Sequence, residues 1–261
     1  MTVATVQELR PGRAAPLAEA PPVLVLNAVT KVFPGHRGTA GATAVAGADL
    51  VVRTGDFVAV TGRSGSGKTS LLNVAAGLTR PTSGGVLLAG VDLWSLSDAA
   101  RTRLRRERVG FVFQFPSLIP SLSALENVLL PATLAGAGHA SASADRARDL
   151  LETVGMAAKT GERPGRLSAG EQQRVVIARA LVLQPSILIA DEPTSSLDEE
   201  TEGEVMALFE RLNAADGVTV LMVTHDAGLA RRCPRHARMV AGRLVDGDLS
   251  TGNGDLSVPV L

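Results

Sequence analysis

The chain has 261 residues, a mass of 26.9 kDa, 26 basic against 26 acidic residues and a pI of about 6.9. This length is enough to bury a full hydrophobic core in one domain, or in one domain with an added lobe. The zero net charge argues against sequence-independent binding of nucleic acid, which needs a clustered basic surface. Cys233 is the single cysteine, so internal disulfides and thiolate metal clusters are excluded, and a reducing compartment fits.

The two ends of the sequence differ in composition from the rest. Residues 1–21 are rich in Ala and Pro, lack the apolar stretch of a signal peptide and are predicted to form a disordered tail. Residues 248–261 are rich in Gly, Asp and Ser and are predicted to form a flexible tail. No apolar run approaches the roughly 20 residues that a transmembrane helix needs. The folded domain is therefore predicted to cover residues 22–247.

The first half of this domain is predicted to contain mainly strands, at residues 23–26, 48–52, 56–60 and 84–88. A helix over 68–77 follows a Gly-rich turn and ends at Gly77. Ser97 is predicted to cap a helix that runs through the Arg-rich segment 101–108. These arginines and Trp94 suit a contact with a membrane partner, although a solvated helix with one packed indole explains them more simply.

In the second half, strands and helices alternate. A strand is predicted at 109–114, then helices at 123–135, 143–154 and 169–183, a strand at 187–190, a helix at 200–212 and a strand at 218–223. The run 187–190 is apolar throughout, as in a sheet buried on both faces. The alternation predicts an α/β fold with a mostly parallel sheet and helices on both sides. The mainly helical segment of about 95–165 is predicted to be an inserted lobe.

A phosphate-binding loop is predicted between the strand at 56–60 and the helix at 68–77. It consists of Gly62, Arg63, Ser64, Gly65, Ser66, Gly67, Lys68 and Thr69. The glycines let backbone N–H groups face a phosphate, and the helix N-terminus adds partial positive charge. The motif predicts that Lys68 reaches the outer phosphates of a nucleotide, that the Thr69 hydroxyl ligates Mg²⁺ and that Ser70 contacts an inner phosphate.

Four further polar residues follow predicted strands. Asp191 and Glu192 come after 187–190, at the carboxyl edge of the sheet beside the loop. Asp191 suits Mg²⁺, and Glu192 is placed to polarise a water for attack on a γ-phosphate. Gln114 suits a magnesium ligand or a water-orienting amide, and His225 suits a hydrogen bond to the γ-phosphate. Each residue type is often structural when it occurs alone; the shared sheet edge favours the functional interpretation.

The segment Leu167-Ser168-Ala169-Gly170-Glu171-Gln172 begins a predicted helix. The Ser168 hydroxyl, the free N–H groups and the helix dipole form a second anion site. Ser168 and Glu171 also have the spacing of a capping box. The two interpretations are compatible, because a capped helix end can still face a ligand.

These motifs, in this order, resemble those of the ATP-binding cassette (ABC) ATPases of transporters over roughly residues 22–247. The resemblance also covers Ser196-Leu197-Asp198, and Phe33 occupies the place where the family usually stacks a tyrosine on adenine. Segments 109–115, 118–120 and 124–128 resemble the lipoprotein-releasing and macrolide-exporter branch, which is itself similar to the cell-division ABC ATPase. The resemblance implies a P-loop NTPase (RecA-like) core with an antiparallel β subdomain and an inserted helical lobe.

The resemblance also implies partners. Two copies would form a homodimer with ATP and Mg²⁺ between them, so that Ser168 and Gly170 of one copy face the phosphate loop of the other. Asp198 would lie in the loop that links the two sites. A transmembrane permease would insert a cytoplasmic helix beside residues 115–120, unless that loop is simply buried in the lobe, and would hold the chain peripherally at the cytoplasmic face of the membrane. Two departures are Ala169 in place of the usual first glycine and Ser195-Ser196-Leu197-Asp198 in place of Gly-Asn-Leu-Asp.

The expected activity is ATP hydrolysis that drives a separate permease, with export as the expected direction. One alternative is an ATP-driven switch that acts through a membrane partner on cell-wall enzymes. Another is a soluble ABC ATPase of DNA repair or translation, but that class predicts long coiled-coil insertions or tandem cassettes, and this is one short cassette. The sequence does not indicate a cargo.

Overall fold

The computed structural model describes residues 20–35 and 41–245. Apart from Ala20 and Pro21, the two predicted tails lie outside these residues. The described strands are β1 (Pro22–Phe33), β2 (Ala42–Arg53), β3 (Phe57–Thr61), β4 (Ser83–Leu88), β5 (Val91–Asp92), β6 (Val109–Val112), β7 (Ile187–Asp191), β8 (Val220–Thr224), β9 (Arg235–Val240) and β10 (Arg243–Val245). The described α-helices are α1 (Lys68–Ala75), α2 (Asp98–Arg108), α3 (Ala124–Ala135), α4 (Ala137–Ala142), α5 (Ala144–Thr153), α6 (Ala169–Leu181), α7 (Glu199–Asp216) and α8 (Ala227–Arg232).

The strands form two sheets. The larger has the order β10-β9-β3-β8-β7-β6; its strands are parallel from β9 to β6, and β10 is antiparallel to β9. The smaller is antiparallel, with the order β2-β1-β4-β5. The predicted α/β fold, with a mostly parallel core and an antiparallel β subdomain, is confirmed.

The apolar strands of the larger sheet are buried on both faces because alternate residues enter two different cores. Leu188, Ala190 and Met222 pack in a core with residues of α3, α5, α6 and α7. Ile189 and Val223 face the other way, into a core formed with α1 and the antiparallel sheet. This two-sided burial explains the uninterrupted apolar runs in the sequence.

The register brings the strand ends together at one edge. Thr61 of β3 pairs with Thr224 of β8, and Asp191 of β7 pairs with Val223 of β8. The segments that follow β3, β7 and β8 therefore leave the sheet side by side, and these segments contain the phosphate loop, Glu192 and His225.

Several elements differ from the predictions. The helix α4, the helix α8 and the strands β5, β9 and β10 were not predicted. The helices have six residues each and β5 and β10 two or three, too few to show a clear periodicity, while Arg235 and Arg238 interrupt the apolar pattern of β9. The strand β6 ends at Val112, two residues before Gln114. It pairs with β7, so the strand predicted within the mainly helical segment of about 95–165 belongs to the larger sheet. The helical part that packs on α6 consists of α3 and α5.

Candidate functional site: a phosphate loop at the edge of the sheet

The phosphate loop joins β3 to α1 and is packed closely against two neighbouring segments. A Cβ added to Gly62 would lie 2.5 Å from the Met239 carbonyl oxygen. A Cβ added to Gly67, whose φ is +107°, would lie 1.9 Å from the Ala44 carbonyl oxygen. Glycine is required at both positions because the backbone of β9 on one side and β2 on the other fills the space of a side chain.

The Lys68 ammonium lies inside the loop and is only 5% exposed. Its Nζ donates to the carbonyl oxygens of Gly62 at 2.8 Å and Arg63 at 3.2 Å, and lies 3.3 Å from Glu192 Oε1. A buried ammonium needs such partners, because desolvation otherwise penalises its charge. The contacts place a fixed positive charge between the loop and the end of β7.

The backbone of Glu192 is held in an unusual conformation. Its φ of +45° lies in the left-handed region, which costs a non-glycine residue about 1–3 kcal/mol. Its N–H donates to the Val223 carbonyl at 3.0 Å, and its own carbonyl accepts from the N–H and the hydroxyl of Ser195 at 3.2 and 3.1 Å. The result is a carboxylate that turns back over the sheet edge, with Oε2 3.2 Å from His225 Nδ1. Glu192 thus contacts Lys68 through one oxygen and His225 through the other.

Asp191 and Thr69 form a second polar pair beside this carboxylate. The Thr69 hydroxyl donates to Asp191 Oδ1 at 3.3 Å. Burial is the main reason that the pKa of Asp191 is raised above its usual value; the nearby Glu192 charge adds to the shift, and the Thr69 hydroxyl opposes it. A hydroxyl and a carboxylate are oxygen donors suited to Mg²⁺, and a bound cation would offset the burial penalty. The pair therefore fits the predicted metal.

The other predicted nucleotide contacts differ in their exposure. Arg63, Ser64 and Gly65 are exposed at the tip of the loop. Ser70 is half-buried in the first turn of α1, and the buried hydroxyl of Ser66 has no hydrogen-bond partner in the described protein. Gln114 is exposed in the segment after β6. The Phe33 ring is 42% exposed, and Lys31 Nζ lies over it at 5.0 Å from its centre.

Ser168 and Gly170 lie at the N-terminus of α6, which packs on α3, α5 and α7. The predicted capping box is present: the Ser168 hydroxyl accepts from the Glu171 N–H, and the Glu171 carboxylate accepts from the Ser168 N–H. Lys159 Nζ contacts Glu171 Oε1 at 2.6 Å and is the largest cause of the lowered pKa of this carboxyl. Lys159 was not predicted to contact this turn; its only signal in the sequence is that it is one of three lysines in the chain.

A groove of about 300 Å³ lies beside the Gln114 segment, between β6 and the helices α3 and α6. Its apolar lining includes Phe111, Phe113 and Leu134, of which Leu134 is 72% exposed. Arg179 also lines it and donates to the Ser117 carbonyl at 2.6 Å, which ties α6 to the loop predicted to receive a partner. A larger cleft, of about 530 Å³, is lined by Thr54 and Thr219 among others and lies at the opposite edge of the sheet, away from the phosphate loop.

In the described ranges, 20–35 and 41–245, no helix combines the length and the apolar content that crossing a membrane requires.

Comparison with known proteins agrees with this geometry. The family model described as "ABC transporter" matches residues 45–195. The lipoprotein-releasing system ATP-binding protein LolD of Geobacter metallireducens is 48% identical over 199 residues, which cover 76% of this chain and 88% of LolD. LolD 1 of Caulobacter vibrioides is 43% identical over 222 residues, 85% of this chain and 94% of that protein.

Solved structures are similar as well. The dimeric ATP-binding cassette MJ0796 in a post-hydrolysis state, bound to ADP and Pi, has a TM-score of 0.74 and 37% identity, and covers 87% of this chain and 99% of its own. The cbiO1 protein from Clostridium perfringens, part of the cbiONQ transporter complex, has a TM-score of 0.74 and 27% identity, with 88% of this chain and 89% of its own covered.

Proposed function

The chain belongs to the ABC transporter family and is an ATPase of that family, and we propose that it is the subunit of an exporter that hydrolyses ATP to drive a separate transmembrane permease. The observation that carries the proposal is the chain of contacts from Lys68 through Glu192 to His225. These contacts bring an ammonium, a carboxylate and an imidazole together at one edge of the sheet, which supports their roles as phosphate ligand, base and orienting group.

The hydrolytic step follows from these positions. Lys68 and the loop N–H groups bind the β- and γ-phosphates, and Phe33 stacks on the adenine. Glu192 accepts a proton from a water whose oxygen attacks the γ-phosphorus. The bond from that phosphorus to the bridging oxygen breaks, ADP leaves with the bond's electron pair, and inorganic phosphate is formed. His225 contacts Glu192 and holds the water and the γ-phosphate in line.

Magnesium would be held by Thr69 and Asp191, whose oxygens already lie 3.3 Å apart, with Gln114 as a further ligand. When bound, Mg²⁺ neutralises part of the charge on the phosphates. The protein's own contribution is to keep the Asp191 carboxylate at the buried strand end, where its charge is poorly solvated and therefore attracts a cation.

A homodimer completes the site in this proposal. Ser168 and Gly170 lie at the N-terminus of α6, a helix that packs on α3, α5 and α7. Such an end, with its free N–H groups, suits the γ-phosphate of ATP held by a second copy. The similar MJ0796 cassette is described as dimeric in its post-hydrolysis state. ATP would thus close the dimer, and hydrolysis would reopen it.

The permease is the proposed partner of the groove beside the Gln114 segment. The groove is lined by Phe113 and Leu134 and is bordered by Arg106 and Arg179, so it suits a short amphipathic helix with an acidic residue. Its closeness to Gln114 gives the partner a route to the ATP site. Bound there, the chain would lie peripherally at the cytoplasmic face of the membrane. The LolD relatives are named as ATP-binding proteins of a lipoprotein-releasing system, and this name supports export as the direction of transport.

The Glu192→Gln variant tests the catalytic assignment. We expect ATP binding to remain, turnover to fall about 10²–10⁴-fold, the usual contribution of a general base, and an ATP-dependent dimer to accumulate in gel filtration. Lys68→Ala is the matched control, which should lose ATP binding and so form no dimer. Rapid hydrolysis by Glu192→Gln would show that another group activates the water.

A charge in the groove tests the partner assignment. Leu134→Asp should abolish co-purification with the membrane protein encoded beside this chain and leave basal ATP hydrolysis unchanged. Leu78→Asp provides the control, since Leu78 is also exposed, at 45%, but lies outside the groove. Equal co-purification of both variants would refute the groove as the permease-binding site.

A transport assay tests the exporter proposal. Vesicles that contain the chain and its permease should export a substrate when ATP is added, and ATP-dependent stimulation of a cell-wall hydrolase without transport would contradict the proposal.

A further inference from the structure

The first turns of α6 and α7 meet at Gly170 and Thr201. Gly170 is buried, and a Cβ added to it would lie 2.2 Å from Thr201 Cγ2 and 3.7 Å from Thr201 Cβ. Its φ is outside the left-handed region, so the backbone conformation itself would accept alanine. Alanine also stabilises helices better than glycine. The feature that requires glycine here is therefore the threonine methyl of the same chain.

The Thr201 side chain is not free to turn away. Its N–H donates to Asp198 Oδ1 and its hydroxyl donates to Asp198 Oδ2, both at 2.9 Å. The same bonds are the main cause of the lowered pKa of Asp198, which keeps this cap ionised. Because threonine is β-branched, the bound hydroxyl fixes the methyl as well. Rotation would break the bond to Asp198 or turn the hydroxyl towards Gly170.

A second contact fixes the same two helices one turn further on, where Arg174 of α6 forms an ion pair with Glu204 of α7. The helix α7 begins directly after Ser195-Ser196-Leu197-Asp198, and that segment hydrogen-bonds back to Glu192 through Ser195. A series of contacts and chain segments therefore runs from the backbone of Glu192 through Ser195, Asp198 and Thr201 to the N-terminus of α6.

We propose that Thr201 is a positioning residue that sets the place of the Ser168–Gly170 turn relative to Asp198, and that Gly170 is glycine because the Thr201 methyl of its own subunit occupies the side-chain space. This inference rests on the proposed function only in its catalytic consequence: a shift of Asp198 moves the turn that faces the ATP of the second copy. The contact itself is a property of one subunit.

The test combines two substitutions. Gly170→Ala alone should lower the melting temperature by roughly 5 °C and lower ATP turnover at least about tenfold. Thr201→Ser keeps both bonds to Asp198 and removes only the methyl; alone it should have a small effect. The double variant should restore ATP turnover to within about threefold of the unmodified protein. Its melting temperature should equal or exceed that of the unmodified protein, because α6 then gains alanine without the clash.

Thr201→Val is the matched control for the second site. It keeps two branches on Cβ, whose rotation the helix restricts, and removes the hydroxyl, so Gly170→Ala with Thr201→Val should recover less than with Thr201→Ser. In the Glu192→Gln background, the ATP-dependent dimer should disappear with Gly170→Ala and return with the added Thr201→Ser.

The outcomes separate this inference from the proposed function. If Glu192→Gln forms no ATP-dependent dimer, the dimer proposal fails, and the melting temperatures still decide whether Thr201 excludes a side chain at 170. If Thr201→Ser restores the melting temperature of Gly170→Ala but not its ATP turnover, glycine is required at 170 for contact with the nucleotide of the second copy. The positioning role of Thr201 is then refuted. Equal effects of Gly170→Ala with threonine, serine or valine at 201 would refute the contact.

Discussion

Replacing Gly67 by alanine tests whether the phosphate loop is held in place by the strand behind it. The new Cβ would lie 1.9 Å from the Ala44 carbonyl oxygen, so loop and strand must separate by about 1.5 Å to reach ordinary contact. Relieving such overpacking costs about 1–3 kcal/mol. The φ of +107° adds about 1–3 kcal/mol of backbone strain for any side chain. The displaced residue directly precedes Lys68.

Because the distorted segment supplies the phosphate contacts, part of this cost should appear as lost affinity. A loss of about 2 kcal/mol corresponds to a roughly 30-fold rise in the Kd for ATP, which calorimetric titration at fixed Mg²⁺ would measure. The melting temperature of the same variant should fall as well, since the contact with β2 exists without nucleotide.

Two other glycines of the loop separate strain from contact. Gly65 has a φ of +77° with open space around it, so Gly65→Ala adds strain alone. Gly62 has no left-handed φ, but its Cβ would lie 2.5 Å from the Met239 carbonyl oxygen, so Gly62→Ala adds a clash alone. Gly67→Ala should exceed both in its effect on Kd. If Gly65→Ala and Gly67→Ala weaken ATP binding equally, the contact with Ala44 is irrelevant and the reasoning is wrong.

Three further predictions concern charges. Asp191→Asn should raise the melting temperature by about 1–3 °C, because a carboxyl whose pKa is raised by burial destabilises the fold when it is ionised. The same variant should reduce Mg²⁺-dependent ATP hydrolysis. A lower melting temperature would contradict this prediction. Asp56→Ala leaves Arg235 without its buried partner and should cost about 3–5 kcal/mol in urea unfolding; a loss below 1 kcal/mol would contradict it. Lys159→Met should lower the melting temperature at pH 7. The difference in melting temperature between the variant and the unmodified protein should shrink as the pH falls, because Glu171, whose pKa is lowered in the fold, then becomes protonated. A difference that does not depend on pH would contradict this prediction.

The core of the site could be predicted from the sequence because its signals are local. The phosphate loop is one continuous segment, and Asp191 and Glu192 follow directly on a run of four buried aliphatic residues. Parallel strands place their carboxyl ends at a common edge. That rule predicts that His225 and Glu192, 33 residues apart, lie at one edge of the sheet; the structure adds that β7 and β8 are neighbours and that the two side chains are 3.2 Å apart.

Contacts that join separate motifs could not be predicted in this way. Lys159 approaches Glu171 from a short turn between helices, and the Ala44 carbonyl meets Gly67 from the first residues of β2, which precede the strand predicted at 48–52. Periodicity indicates which face of an element is buried but does not indicate which neighbour fills the space. The polar strand β9 was missed for a related reason: Arg235 and Arg238 interrupt the apolar pattern while its backbone pairs with β3.

The two small residues at the start of α6 show how the structure changes the interpretation of a motif. By sequence, Ala169 is the irregular position and Gly170 the regular one, which makes Ala169 the apparent weakness of the turn. In the structure, Ala169 is exposed, whereas Gly170 is buried against Thr201. The methyl at 169 therefore belongs to an exposed residue, whereas a methyl added at 170 would meet the methyl of Thr201. The departure from the family pattern falls where the subunit has room for it, and the glycine is kept where the subunit has none.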